Sequence, residues 1–252
     1  MADTKQLIPK LLFQTCETAE LPPGMKKATE TWRSLNSEYE YRFFDDRSRR
    51  AFIDENFNEE VSEAYASCVP GAYRADIWRY CVLYIHGGVY VDAGMVCLEP
   101  LSSVIKPTDR QILTLDSVPG AIANAFIATV PRDQLISNTI ALAVKRVLTK
   151  DYGCSSIYPT GPYCLGDILN RSLGQPPFTP FELPPNGVVF AGFLNYKKED
   201  DKWSDAYFYI KTIDGVLKFA LYRYEGIETE RKMFQKGACM TYGDMWLKRI
   251  CF

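Results

Sequence analysis

A single histidine, His86, stands among 252 residues, and the eight cysteines are scattered with no C-x-x-C pair. Zinc centres are built from such groups at short spacings, so a zinc site has nothing to build on. No stretch reaches the ~18 apolar residues that a membrane-spanning helix needs, and the opening MADTKQLIPKLLFQT lacks the apolar run of a signal peptide. An excess of charge is missing too: a formal net charge of -2 gives no reason to expect nucleic acid or a membrane surface as partner. With no export signal, the cysteines are expected as reduced thiols, several of them buried, and the chain as cytoplasmic. Neither a repeat nor a boundary divides the sequence. Residues 1–252 are expected to form one domain, for which 47% hydrophobic content is ample.

What is present is concentrated between Gly71 and Pro100, GAYRADIWRYCVLYIHGGVYVDAGMVCLEP. Ile77, Cys81 and Tyr84 recur at helical spacing and Gly87-Gly88 follows, so Ala72 to Ile85 is predicted as a helix with a sharp end. Asp76 and Arg79, three residues apart, then share one helix face as an acid beside a base. Val89 to Asp92 reads as a short strand with Val89 and Val91 on one side and Tyr90 and Asp92 on the other. A carboxylate therefore stands at the carboxyl end of a buried strand, where open α/β sheets bind ligands. Taken singly, such an ion pair is usually structural and a Gly-Gly is usually a cap. The functional reading rests on their ordered succession.

That succession, A-D-x-x-R-Y-x-x-L-x-x-x-G-G-x-Y-x-D, resembles the nucleotide-sugar-binding segment of the DxD glycosyltransferases. The resemblance is to the family of yeast initiation-specific mannosyltransferases and bacterial capsular-sugar transferases, and more distantly to the glucosyltransferase domains of clostridial toxins. Two earlier blocks extend it. Ile8 to Cys16, IPKLLFQTC, is similar to the family's opening strand I-P-K-I-I-H-Q-T-W, with Phe13 and Cys16 in place of the usual His and Trp. Trp32 to Asp46, WRSLNSEYEYRFFDD, is similar to W-x-x-L-N-P-x-Y-x-Y-x-x-W-D-D.

The resemblance implies a Rossmann-like α/β fold of the glycosyltransferase A type (GT-A), with a mostly parallel central sheet and helices on both faces. It implies a retaining transfer of sugar from a UDP- or GDP-sugar to a glycan or other acceptor, assisted by Mn²⁺ or Mg²⁺. Asp76, Arg79 and Asp92 are the implied catalytic residues. Gln14, Thr15, Phe44, Asp45, Tyr90, Val91, Asn124 and Trp246 join them as implied nucleotide-sugar contacts. Yeast members of the family carry a membrane anchor, and this sequence shows none. Local readings stand beside these roles: Gln14 and Thr15 as strand-end polar residues, Asp45 as a helix cap.

Along the rest of the chain, strands are expected at Lys10 to Phe13, Tyr39 to Phe44, Gln111 to Leu115 and Ala121 to Val130. Helices are expected from Gly24 to Asn36, within Arg47 to Cys68 as one or two, and from Asp133 to Thr149. Strands and helices alternating in this way argue a parallel sheet covered by helices. Tyr158 to Pro162 resembles the family's T-G-P loop and reads locally as a turn. Residues 173–186 are proline-rich and loop-like. The last third is rich in aromatics, among them Tyr196, Trp203, Tyr222, Tyr242 and Trp246, which suit either sugar rings or a core.

One departure bears on the chemistry. Where the family has D-x-D, this chain has Asp92-Ala93-Gly94 and lacks the second acid. Carboxylates are the hard oxygen ligands that hold a divalent metal against a diphosphate. The family also brings a C-terminal group toward the metal near a Trp, which makes Asp244, beside Trp246, the expected second ligand with Asp92. Three readings remain open: an active glycosyltransferase, a nucleotide-sugar-binding module without catalysis, and a carbohydrate-binding protein that uses its aromatic surface.

Overall fold

In a computed structural model of the chain, which describes residues 6–182, 184, 188–194, 206–234 and 240–252, the first strand, β1, is Leu11–Thr15. Helix α1, Pro23–Leu35, leads over to strand β2, Glu40–Phe44, which runs parallel to β1 with Leu11 opposite Glu40. Parallel neighbours need a crossover, and α1 supplies it. The charged run that follows makes two helices, α2 (Asp46–Asn56) and α3 (Glu59–Ser67), with Asp45 and Asn58 as their N-caps. Both caps are short polar side chains that accept from exposed first-turn N–H groups, the usual way such a helix start is satisfied.

Helix α4, Gly71–His86, buries ten of its 16 residues, polar Asp76 and Arg79 included. A helix covered on nearly every side is a core element, so its polar residues must find partners inside the protein. It ends at Gly87, whose φ is 64° and whose N–H donates to Leu83 O. A Cβ at Gly87 would lie 2.6 Å from the Pro131 nitrogen, and one at Gly88 (φ 96°) 2.7 Å from Leu11 O. Only glycine fits both positions, and this lets strand β3, Gly88–Val91, start directly against β1 with Phe13 opposite Tyr90.

After the short strand β4 (Val96–Cys97), β5 (Gln111–Leu115) and the fully buried β6 (Ile122–Thr129) form an antiparallel pair. β6 also pairs antiparallel with β3, setting Val91 opposite Phe126. Helix α5 is Gln134–Leu148, capped by Asp133, and α6 is Pro162–Ser172. Strand β7 (Val188–Leu194) is parallel to β5, and β8 (Tyr207–Thr212) with β9 (Gly215–Leu221) adds a hairpin. Helices α7 (Ile227–Phe234) and α8 (Tyr242–Leu247) complete the described elements. The sheet order is β2-β1-β3-β6-β5-β7-β8-β9-β4.

The two faces of the sheet are distinct cores. Phe13, Trp78, Tyr90 and Ile127 belong to the side covered by α2 to α6, and Leu12, Trp32, Val89, Val91 and Phe126 to the side covered by α1. The alternation expected of β3 is therefore the one it has. Trp32 anchors α1 through its Nε1, which donates to Met95 O at 2.9 Å. Truncating so large a buried side chain costs about 3–5 kcal/mol.

The α/β architecture with helices on both faces is as expected. Parallel pairing holds for β2-β1-β3 and for β5-β7, while β6 in the middle of the sheet is antiparallel to both its neighbours and the C-terminal strands add further antiparallel ladders. The turn at Tyr158 to Pro162 runs straight into α6, which the sequence reading did not contain; proline in a first helical turn carries no cost there and reads locally as a breaker. Seven cysteines are free thiols, and Cys239, like Tyr196, Trp203 and part of the proline-rich stretch, lies outside the described residues. Among the described residues no helix is long and apolar enough to cross a membrane.

Candidate active site

Asp92 lies one residue beyond β3, its N–H donating to Ala125 O at 2.9 Å and its carbonyl accepting from Met95 N at 3.0 Å. This turn aims the carboxylate out of the strand end, where the side chain is 38% exposed. Its Oδ1 accepts from Arg79 NH1 at 3.0 Å and from Tyr90 OH at 2.7 Å. Arg79, reaching up from α4, also donates NH1 to Asn124 O at 2.7 Å and Nε to Ala75 O at 3.2 Å. Its NH2 lies 3.2 Å from Asp76 Oδ1, and its guanidinium sits 4.4 Å from the centre of the Tyr90 ring. One cation thus joins two carboxylates, two carbonyls and an aromatic face, which the planar fork of arginine allows and lysine would not.

Asp76 is held from three sides. Besides Arg79, Asn124 Nδ2 donates to its Oδ1 at 3.1 Å and Thr160 Oγ1 to its Oδ2 at 2.9 Å. Thr160 is itself fixed by Tyr80, whose hydroxyl donates to the Thr160 carbonyl at 3.0 Å. Burial pushes the Asp76 carboxyl above the usual range, against the pull of Arg79, Asn124 and Thr160. For Arg79, burial favours the neutral form, but Tyr90, Asp92 and Asp76 outweigh it and the group stays cationic. Asn124 Oδ1 is buried with no partner among the described residues, an acceptor left for a donor from outside.

Of these groups, Asp76, Arg79, Asp92 and Asn124 line a cavity of about 410 Å³. Opposite them, Asp116, Ser117 and Val118 extend from the end of β5, and Phe193, Phe208, Tyr222, Arg223 and Tyr242 add a largely aromatic wall. Tyr73 of α4 and Gly161-Pro162 at the start of α6 close the rim. A larger hollow of about 580 Å³ beside α5 and α6, lined by Lys145, Arg146, Tyr158 and Arg171, contains none of the motif residues.

Of the residues expected at the site, Asp76, Arg79, Asp92 and Asn124 line this cavity and Tyr90 braces them from behind. The others lie elsewhere. Gln14 is beneath the cavity, its Nε2 3.4 Å from Asp92 O and its Oε1 accepting from Tyr41 OH at 3.1 Å. Thr15 donates to Phe44 O at 2.6 Å, and Val91 is buried on the α1 side of the sheet. Phe44 packs against Trp78 with ring centres 4.8 Å apart, and Asp45 caps α2 by accepting from Ser48 N at 2.8 Å. Asp244 is the N3 residue of a capping box with Thr241, and Trp246 Nε1 donates to Tyr152 O at 2.7 Å. The C-terminal neighbourhood reaches the cavity through Tyr242 instead of through either of these. Asp116 and Arg223 line the cavity without any signal in the sequence. Thr160 carried one in the T-G-P loop, and Tyr222 one as part of the aromatic-rich last third.

A divalent metal is implied by the D-x-D pattern, and the donor set present does not fit it. Asp92 is the one motif carboxylate, and its Oδ1 already holds Arg79 and Tyr90. A Cβ at Gly94 would point at Ile227 Cδ1, 3.0 Å away, in an apolar cluster with Ala28 and Tyr224. Asp244 Oδ2 is engaged by Thr241. Among the described residues no group of three His, Cys, Asp or Glu side chains could hold a metal ion.

Residues 22–111 match the family described as glycosyltransferase sugar-binding region containing DXD motif. Inositol phosphoceramide mannosyltransferase 2 of Schizosaccharomyces pombe is 37% identical over 126 residues, which is 50% of this chain and 35% of that protein. The initiation-specific alpha-1,6-mannosyltransferase of Candida albicans is 26% identical over 42% of this chain and 29% of its own length. The chain therefore spans about a third of the length of the curated relatives it matches. Among solved structures, the PaToxG glycosyltransferase superposes with a TM-score of 0.55 at 18% identity, covering 67% of this chain and 71% of that one. The fold is that of a glycosyltransferase, and the family resemblance read from the motifs is borne out over residues 22–111.

Proposed function

We propose that the chain is a hexosyltransferase that moves a sugar from a nucleoside diphosphate sugar to a glycan acceptor, with retention at the anomeric carbon. The observation that carries this reading is the network of Asp76, Arg79, Asp92 and Asn124 lining one cavity, with Thr160 bracing Asp76 from behind. Four polar side chains converging on one strand end, with a fifth holding them in place, serve no purpose in a surface carbohydrate binder. The relatives' names support mannose as the sugar and hence GDP-mannose as the first donor to try, with UDP-sugars beside it.

In this reading Asp92, the most exposed of the network, takes the ribose, and Arg79 faces the diphosphate. Asp76 and the unpartnered Asn124 Oδ1 accept from sugar hydroxyls. The anomeric C–O bond to the diphosphate breaks with its electron pair left on the phosphate oxygen. The acceptor oxygen bonds to the same carbon, and its proton passes to the departing diphosphate. Arg79 is pre-oriented by two carboxylates and costs no reorganisation when that charge develops.

Calorimetric titration with a panel of nucleotide sugars, followed by detection of released nucleoside diphosphate and of the product's anomeric configuration by NMR, tests the proposal. Absence of binding by every donor refutes it. Binding without turnover for any acceptor supports the other reading that Gly94 favours, a nucleotide-sugar-binding module.

A further inference from the structure

The cavity contains a third carboxylate that the donor-binding network does not use. Asp116 follows β5, across the cavity from Asp92, with β6 between the two strands. Its Oδ1 accepts from Val118 N at 3.1 Å and from Ser117 Oγ at 3.2 Å. Its Oδ2 has no protein partner among the described residues. Unlike Asp76 and Asp92, it forms no ion pair among the described residues.

The loop that presents Asp116 is fixed. Asp116 N donates to Ala121 O at 3.1 Å and Ala121 N to Val118 O at 3.2 Å. Gly120, at φ 72°, lies so close to Phe178 that a Cβ would sit 2.4 Å from its backbone. Burial raises the Asp116 carboxyl above its usual range, opposed by its bonds to Val118 and Ser117. Tyr222 and Tyr242 line the same cavity. Burial raises both; Asp92 and Asp116 add to the rise at Tyr222, Asp76 and Asp116 at Tyr242.

We propose that Asp116 is the acceptor-binding carboxylate of this site, its Oδ2 accepting the hydrogen bond of an acceptor hydroxyl beside the attacking one, and that the acceptor is a sugar ring lying against Tyr222 and Tyr242. This rests on the reading of the cavity as a glycosyl-transfer site. A half-buried carboxylate oxygen with no cation among the described residues is an acceptor that a neutral hydroxyl satisfies and a second anion would not. Aromatic faces beside it take the C–H edges of a pyranose. The donor's charges are matched on the opposite side by Arg79, so Asp116 is left to the second substrate.

The experiment uses Asp116→Ala and Asp116→Asn in the full chain, with the donor that the wild type binds and a panel of methyl pyranosides as acceptors. Donor affinity by calorimetry and slow transfer of the donor sugar to water are expected within about twofold of wild type for both variants. Transfer to the pyranoside is expected to fall by about tenfold to a hundredfold in Asp116→Ala, the worth of one charge-assisted hydrogen bond. The effect is expected chiefly in the acceptor KM, with Asp116→Asn intermediate because its amide oxygen still accepts. A transfer rate unchanged in both variants would show Asp116 to be only a turn residue. Donor affinity falling in parallel with transfer would place it on the donor side, and either result overturns the inference. So does a wild type that glycosylates no pyranoside. A wild type that binds no donor instead removes the underlying reading, and this is decided by the first titration, before any variant is made.

Discussion

Arg79 NH1 lies 3.0 Å from Asp92 Oδ1, joining the middle of α4 to the end of β3 across 13 positions of sequence. The same guanidinium meets Asp76 one helical turn earlier on α4. Because Arg79 is buried and both acids depend on it, the site and the fold share one residue.

Arg79→Met is therefore expected to damage both. Removing one partner of a buried ion pair leaves uncompensated charge, which costs about 3–5 kcal/mol. A large fall in melting temperature should accompany loss of nucleotide-sugar binding. Arg79→Lys should retain more stability but not affinity, since an ammonium cannot reach Asp76, Asp92 and Asn124 O together. Thermal denaturation and donor titration on both variants check this; full affinity in Arg79→Lys would contradict it.

Asp76→Asn should behave in the opposite way. Burial, the largest influence on Asp76, raises its carboxyl above the unfolded value despite Arg79. A carboxyl so raised weakens the fold when both states are ionised, and this penalty disappears once the pH falls below the ordinary aspartate value of about 3.9. The amide keeps an acceptor for Asn124 and a polar group for Thr160. Asp76→Asn is expected to melt no lower than wild type at pH 7, with the difference shrinking toward pH 4, while turnover is lost. A melting curve that drops sharply at neutral pH would show the charge to be structural.

How far the sequence foretold this site follows from the range of the contacts. Helix α4, the Gly87-Gly88 stop and β3 form one local unit, so the relation of Asp76, Arg79 and Asp92 was readable from spacing. Asn124 came only from resemblance, because its place beside Asp76 depends on β6 pairing with β3. Thr160 lies 84 positions from Asp76, and no periodicity encodes such a contact. At the C-terminus the local signal was the better guide: Thr241 and Asp244 have capping-box spacing, and that box is what forms, not a reach toward Asp92. The antiparallel extension of β8 and β9 was legible only as an aromatic-rich region.

Thr160 can be separated from general packing. Thr160→Val removes the hydroxyl that holds Asp76 Oδ2, leaving a buried carboxylate oxygen short of a donor at a cost of about 1–3 kcal/mol. kcat is expected to fall more than the donor KM rises, because Asp76 stays present but loses its aim. Thr160→Ser should restore kcat. Failure of serine to rescue it would assign the loss to the methyl group and to packing.

Trp246 provides a control for placement. Its indole N–H anchors α8 to Tyr152 O and does not line the cavity. Trp246→Phe should lower the melting temperature through that lost bond and leave donor affinity unchanged. Affinity lost without any change in melting would return Trp246 to the binding site.

The altered D-x-D motif gives the sharpest contrast, because the missing acid and its replacement can both be reversed. At present Gly94 faces Ile227 Cδ1, so an aspartate introduced there would press against an apolar cluster before it could face a metal. Gly94→Asp alone is expected to lose stability and gain little metal affinity, since the buried Ile227 must yield by some tenths of an ångström. Coupled with Ile227→Ala, the new carboxylate gains room beside Asp92, and two hard anionic ligands come together at the strand end. Titration with Mn²⁺, followed by the metal's paramagnetic broadening of water or protein resonances, should show no saturable site in wild type and one in the double variant. A saturable site in the wild type at micromolar Mn²⁺ would mean that Asp92 recruits ligands other than Gly94's neighbours. The mismatch between this donor set and a divalent ion would then be withdrawn.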